Sequence, residues 1–129
     1  MRSILFLQSG EPQALYIEKL VRSLSAGNFV EVYRTVQNLE LCLRSAGERA
    51  HIFLLSVSDK ETLAHLLDLG ELLRDLPLVI VISSDNDELV AMAHKLRPRY
   101  LHNIEEGLDS LSSVLKKMSE GGLSRAMKF

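Results

Sequence analysis

A chain of 129 residues fits one domain, long enough to bury roughly two thirds of the surface its unfolded form exposes. Its 47% apolar and 25% charged residues exclude the profile of disorder, and 15 Lys and Arg against 17 Asp and Glu, net −2, give no bulk attraction to nucleic-acid phosphates or anionic membranes. No window is apolar for long enough to span a bilayer. The opening MRSILFLQSGEP is too short in its apolar run for a secretory leader, and the single Cys42, with no Cys or His beside it, fits a reducing compartment, the cytoplasm.

Apolar runs with β-branched or aromatic content fall at residues 4–7, 29–36, 52–57, 78–82 and 100–104, each followed by a helical pattern. The first helix opens at Glu11-Pro12, puts Ala14, Ile17, Leu20, Val21 and Leu24 on one face, and stops at Gly27-Asn28. The second segment reads two ways: Leu39, Leu41 and Leu43 alternate as in a strand, whereas Leu39, Cys42, Leu43 and Ala46 make a helical stripe ended by Gly47. On the helical reading Leu41 lies off the stripe, as a contact patch or as an ordinary exposed leucine.

The third helix starts after Ser58 or Asp59, buries Leu63, Leu66, Leu67 and Leu73, and ends before Pro77. Ser84 or Asp85 caps a fourth helix with Leu89, Met92, Ala93 and Leu96 inward, closed by Pro98. A fifth, from about Glu105, carries Leu108, Leu111, Leu115 and Met118 up to Gly121-Gly122. Residues 1–118 then form one domain, with 119–129 as a tail or linker.

Runs 52–57 and 78–82 are apolar on successive residues, as central parallel strands covered on both faces require, whereas run 29–36 alternates with Glu31 and Arg34 and belongs nearer an edge. Five β-α units in sequence predict an α/β protein: a doubly wound, three-layer α/β/α sandwich around a five-stranded parallel sheet. Ligands of such sheets sit outside the strands' carboxyl ends, so the informative loops are 8–11, 56–60, 83–87 and 102–105.

At those loops the chain resembles the receiver domain of two-component response regulators, over nearly its whole length. That family's first strand leads into an acidic pair, often followed by Glu-Pro. Here Glu11-Pro12 is present, but Gln8-Ser9 or Ser9-Gly10 stands where the acids belong. The third strand of the family ends in the phosphoacceptor Asp, and IFLLSVSD puts Ser56 there. Its fourth ends in Thr or Ser, matched by Ser83. Its fifth has an aromatic three residues before Lys-Pro, and YLHNI keeps Tyr100 but has Asn103-Ile104 in place of Lys-Pro. The resemblance implies a flavodoxin-like (βα)5 receiver fold with a degenerate pocket of Gln8, Ser9, Gly10, Ser56, Ser83 and Asn103.

Phosphoryl transfer to an acyl oxygen needs an ionised carboxylate, a hard cation and a positive group for the product. Gln8, Ser9 and Gly10 offer Mg²⁺ no carboxylate. Ser56 has no base beside it in sequence, His51 being at the other end of its strand, and Asn103 brings no charge. Asp59, Asp85 and Asp87 read most simply as helix caps and first-turn acids. Gln8-Ser9-Gly10-Glu11 reads as an ordinary strand-to-helix turn rather than a phosphate cradle. His65 and His94 read as surface histidines, Cys42 as a small buried residue, and Arg97-Pro98-Arg99 and Lys116-Lys117 as solvated faces.

No catalytic residue, metal site or cofactor is therefore expected. The expectation is a pseudo-receiver of bacterial-type signalling that works without phosphorylation, as a protein-interaction or dimerisation module. Its partners would be a signalling kinase, an output domain, another regulator or a second copy of itself, not nucleic acid or membrane. By analogy with receivers, the partner face would comprise Met92, Leu96, Tyr100, His102, Leu108, Leu111 and Leu115. With no phosphoryl group to move it, Tyr100 would be a fixed surface feature or a half-buried packing residue. The alternative is a small-molecule or nucleotide sensor, or an enzyme, using the neutral pocket.

Overall fold

In the computed structural model, which describes residues 2–8, 13–24, 29–45, 52–74, 76–82, 87–104, 107 and 109–119, each of the five apolar runs forms a strand. These are β1 (Arg2–Leu7), β2 (Phe29–Tyr33), β3 (Ile52–Val57), β4 (Leu78–Ile82) and β5 (Tyr100–Asn103). They pair in parallel in the order β2-β1-β3-β4-β5, so the strand with alternating charge is an edge and the two continuous apolar runs lie inside. All six residues of β3 and all five of β4 are buried, because helices cover both sides of the sheet.

The period-two alternation of the strands sorts the core into two layers. On one face Ile4, Phe6, Phe53, Leu55, Leu78 and Ile80 meet α2 (Val36–Ser45), α3 (Lys60–Asp68), α4 (Gly70–Leu73) and α5 (Asp87–His94). On the other, Leu5, Leu7, Ile52, Leu54, Val79 and Val81 meet α1 (Ala14–Leu24) and α6 (Asp109–Ser119). This is the expected three-layer sandwich.

Several boundaries differ from expectation, each for a local reason. β2 ends at Tyr33 rather than running to residue 36, because the Thr35 hydroxyl accepts from the Asn38 N–H at 3.2 Å and caps α2, whose first residue is Val36. The ambiguous second segment is a helix: Leu39 and Cys42 are buried, Leu43 is half-buried, and Leu41 points to solvent. The expected third helix is broken at Leu69, whose N–H reaches both Leu66 and Leu67 carbonyls before Gly70 opens the short α4. Leu69 is thereby buried and Leu67 only half so. β5 stops at Asn103 and α6 begins at Asp109, four residues later than the sequence pattern places it. The expected helix signals Glu11-Pro12, Gly27-Asn28, Ala46-Gly47, Ser84-Asp85, Glu105, Leu108 and Gly121-Gly122, and the tail after 119, lie outside the described residues.

Candidate functional site

The carboxyl ends of the strands form the mouth of the sheet. Register places Leu7, Ser56, Val81 and His102 in one row across β1, β3, β4 and β5. Ser56 is 0% exposed, and among the described residues its Oγ has no hydrogen-bond partner. Its two neighbours in the row are aliphatic. The next row holds Val57, Ile82 and Asn103, the last half-buried and held by an interaction of its own. Gln8 follows directly on β1, and its Oε1 is likewise buried without a partner among the described residues. Ser9, Gly10 and Ser83, the other pocket residues expected from the sequence, lie outside the described residues.

An orphaned hydroxyl and an orphaned amide oxygen at adjacent strand ends mark where a polar group is desolvated with no compensation. They do not make a cation site. A hard divalent ion is anchored by one or two carboxylates, and Gln8, Ser56 and Asn103 supply only neutral oxygens. The acid nearest Ser56 in sequence, Asp59, is engaged elsewhere: its two carboxylate oxygens accept from the Thr62 N–H at 2.8 Å and the Thr62 hydroxyl at 2.9 Å, capping α3. The described residues of this mouth thus do not fit the magnesium-dependent chemistry that the sequence resemblance implies.

Two ion pairs at the rim were not legible in the sequence, because their members lie far apart in it. Arg34, just after β2, donates to the Leu7 carbonyl at 3.4 Å and pairs with Glu18 of α1 at 3.3 Å, while Glu18 also holds Arg22. A guanidinium therefore rests over the end of β1. Lys60 at the start of α3 pairs with Glu88 in the first turn of α5, joining the elements that follow β3 and β4.

At the β5 edge, His102 is fully buried and its Nε2 lies against the Gly107 carbonyl. A carbonyl only accepts, so Nε2 carries the proton and, in the neutral ring, Nδ1 accepts from the Tyr100 hydroxyl at 3.2 Å. Gly107 has φ +86, a left-handed conformation that suits glycine. Tyr100 also stacks on the His102 ring, centroids 5.8 Å apart, and contacts the Ser110 hydroxyl at 3.2 Å. Tyr100 is thus a half-buried residue pinned from three sides. Residues two apart on a strand share a face, so the Tyr100–His102 pairing was available in the sequence as a spacing.

The expected partner face needs correction. Leu111 and Leu115 are 0% exposed in the layer shared with α1, Leu96 is buried against the opposite layer, and His102 is buried beneath Tyr100. Leu111 and Leu115 belong to the core-facing stripe of α6 and not to the surface that the analogy with receivers implies. Met92 and Tyr100 remain half-buried, and Leu108 lies outside the described residues. Among the described residues the large apolar side chains that do face solvent are Leu15 and Tyr16 on α1 and Leu41 on α2.

No protein-family model matches the chain, and no curated protein does either. Solved structures do. A response-regulator receiver domain from Rhodospirillum rubrum is 15% identical with a TM-score of 0.59, covering 91% of this chain and 90% of its own. The phosphorylated cyanobacterial phytochrome response regulator RcpA is 18% identical with a TM-score of 0.61, covering 95% and 94%. The Mn²⁺-bound response regulator Rcp1 is 17% identical with a TM-score of 0.57, covering 92% and 91%. The fold is that of a receiver domain. Within a receiver fold, the row through Ser56 is the sheet's carboxyl edge at its central strand, and the exposed Leu15, Tyr16 and Leu41 lie on the first two helices. Among the described residues no helix is long and apolar enough to cross a membrane.

Proposed function

We propose that the chain is a receiver-like signalling domain that works without phosphorylation, as a protein-interaction or dimerisation module of two-component-type regulation in a bacterial cytoplasm, and that it is not an enzyme. One observation carries this reading. The position that the sequence resemblance assigns to the phosphoacceptor is a fully buried serine, set between Leu7 and Val81, with its hydroxyl unpartnered. A serine hydroxyl is a weak nucleophile without an activating base, and phosphoryl transfer further needs charge stabilisation that Gln8 and Asn103 do not bring.

One of the similar structures is phosphorylated and another holds Mn²⁺, whereas the described residues of this mouth fit neither. With no differential affinity for a phosphoryl group, no equilibrium between two receiver states can be shifted by one. Tyr100, pinned by His102 and Ser110, supports a single fixed state. Signalling then rests on shape and surface, and Leu15, Tyr16 and Leu41 offer exposed apolar surface to a partner or a second copy. Adding beryllofluoride with Mg²⁺ should leave the amide NMR spectrum and the sedimentation behaviour unchanged. Shifts spreading from β3 to Tyr100 would overturn the reading.

A second reading is favoured by the orphaned Ser56 Oγ and Gln8 Oε1: a sensor whose neutral pocket takes a small ligand with a hydrogen-bonding group. Thermal-shift screening against nucleotides and phosphorylated metabolites separates the two, since a binder at 100 times its Kd stabilises by about 2.7 kcal/mol.

A further inference from the structure

A second concave surface lies at the opposite end of the sheet. A cleft of about 1190 Å³ runs between the end of α3 with α4 on one side and the turn after α5 on the other. The Arg99 N–H donates to the Leu78 carbonyl at 2.8 Å, which fixes this wall at the amino ends of β4 and β5, away from Ser56 and Asn103. Among the described residues four cations line it: Arg74 from the end of α4, and Lys95, Arg97 and Arg99 from the turn. All four are exposed, and among the described residues none of them forms an ion pair or a side-chain hydrogen bond. Among the described residues the acids on the same walls are Asp68 and Glu71. In a chain of net charge −2 the cleft is a local reversal of sign.

The turn is built to hold these cations in place. Successive N–H groups of Lys95, Leu96 and Arg97 bond back to the Met92, Ala93 and His94 carbonyls, and Arg97 then takes φ 54 ahead of Pro98. That left-handed conformation is uncommon for any residue with a Cβ, and a helix end of this kind usually carries glycine. Here it carries a guanidinium. Between the charged walls, Leu67 and Leu76 are half-buried, with Leu73 and Leu96 beneath them.

We propose that this cleft docks an acidic peptide segment with leucine-like anchors, belonging to a partner protein, its carboxylates meeting Arg74, Lys95, Arg97 and Arg99 and its apolar side chains resting on Leu67 and Leu76. Charge complementarity selects the sign of the partner. The leucine floor and the two acids in the walls favour a peptide over a continuous phosphate backbone, which would meet Asp68 and Glu71 with like charge. No cation is buried, so the surface suits several dispersed carboxylates better than one enclosed anion. The docking is independent of how the mouth at Ser56 is read, and it gives the interaction module a second surface.

The test is fluorescence anisotropy on the full chain, with a fluorescein-labelled peptide of repeated Glu-Glu-Leu as the probe. The same peptide with Gln for Glu and a labelled single-stranded oligonucleotide serve as comparators. An exposed ion pair is worth a factor of about 1.5 to 5, so the double variant Lys95→Glu/Arg99→Glu is expected to weaken the Glu-Glu-Leu peptide roughly tenfold. Arg97→Gly removes a cation while relaxing the backbone, and should weaken the peptide with melting unchanged or raised. Raising salt from about 0.1 M to about 1 M shortens the reach of charge from about 10 Å to about 3 Å and should release the peptide. The Gln peptide is expected to bind weakly. Absence of Glu-Glu-Leu binding at low salt, equal binding by the variants, or tighter binding of the oligonucleotide with loss in the same variants would each overturn the proposal.

Discussion

Replacing Ser56 by alanine should stabilise this protein, against the usual rule that core substitutions cost stability. The Ser56 side chain is 0% exposed and its hydroxyl meets no partner among the described residues, so the folded state carries a desolvation penalty of about 1–3 kcal/mol with nothing returned. Ser56→Ala removes that penalty and loses one heavy atom's packing, worth a few tenths of a kcal/mol. The net expectation is a gain of about 1 kcal/mol. Over 129 residues, an unfolding entropy of about 2 cal/mol/K per residue makes 1 kcal/mol worth about 4 °C in Tm.

Urea and thermal unfolding of both proteins, with coincident probes to check two-state behaviour, measure this directly. The companion Ser56→Asp places a carboxylate between Leu7 and Val81 and should cost about 3 kcal/mol or more at neutral pH. Burial raises that carboxyl's folded pKa above its unfolded value of about 4, so its stability is best below pH 4 and falls as pH rises through the folded value. Loss of 1 kcal/mol or more in Ser56→Ala would refute the reasoning, because it would mean that the hydroxyl has a partner in solution.

Three further outcomes follow from the packing and the caps. Leu111→Ala should destabilise by about 2–5 kcal/mol in urea, since Leu111 is core rather than contact surface; a change in partner binding with stability intact would contradict its burial. Asp59→Ala should lower stability by about 1 kcal/mol through loss of the α3 cap, with no effect on phosphate uptake. Tyr33 gives a pH signature. Its hydroxyl meets the Cys42 thiol, is partly buried, and donates to Glu31 at 2.9 Å, all of which push its pKa above the ordinary value of about 10. Raised in the folded state, it contributes stability fully below pH 10 that is lost as pH climbs through the higher folded value. The stability difference between the wild type and Tyr33→Phe should therefore be constant up to about pH 10 and shrink above it; a difference that stays constant into strong alkali would remove the Tyr33–Cys42–Glu31 contacts from the account.

The sheet was legible because continuous apolar runs and alternating runs have distinct physical meanings. Residues 52–57 and 78–82 could only be inner strands of a covered sheet, and Glu31 with Arg34 put the second strand at the edge where it is found. Local capping chemistry was less visible: Thr35 ends β2 early, and the Leu69-Gly70 step breaks a helix whose apolar stripe reads as unbroken. The mouth was legible at Ser56, since a hydroxyl breaks the apolar run of the third strand there. That its hydroxyl is orphaned was not, because satisfaction depends on neighbours that sequence does not supply. The partner face failed for a different reason: it came by analogy with receivers, whereas the apolar stripe that holds Leu111 and Leu115 already marked them as the buried side of the last helix, where they are found. The cleft between α4 and the turn after α5 joins cations from two segments about twenty residues apart, and only folding brings those together.

The most direct measurement is the intact mass of the purified protein after incubation with excess acetyl phosphate and Mg²⁺. Neutral Gln8, buried Ser56 and uncharged Asn103 predict one species at the unmodified mass. A stoichiometric product heavier by one phosphoryl group, labile to hydroxylamine as an acyl phosphate is, would contradict the account.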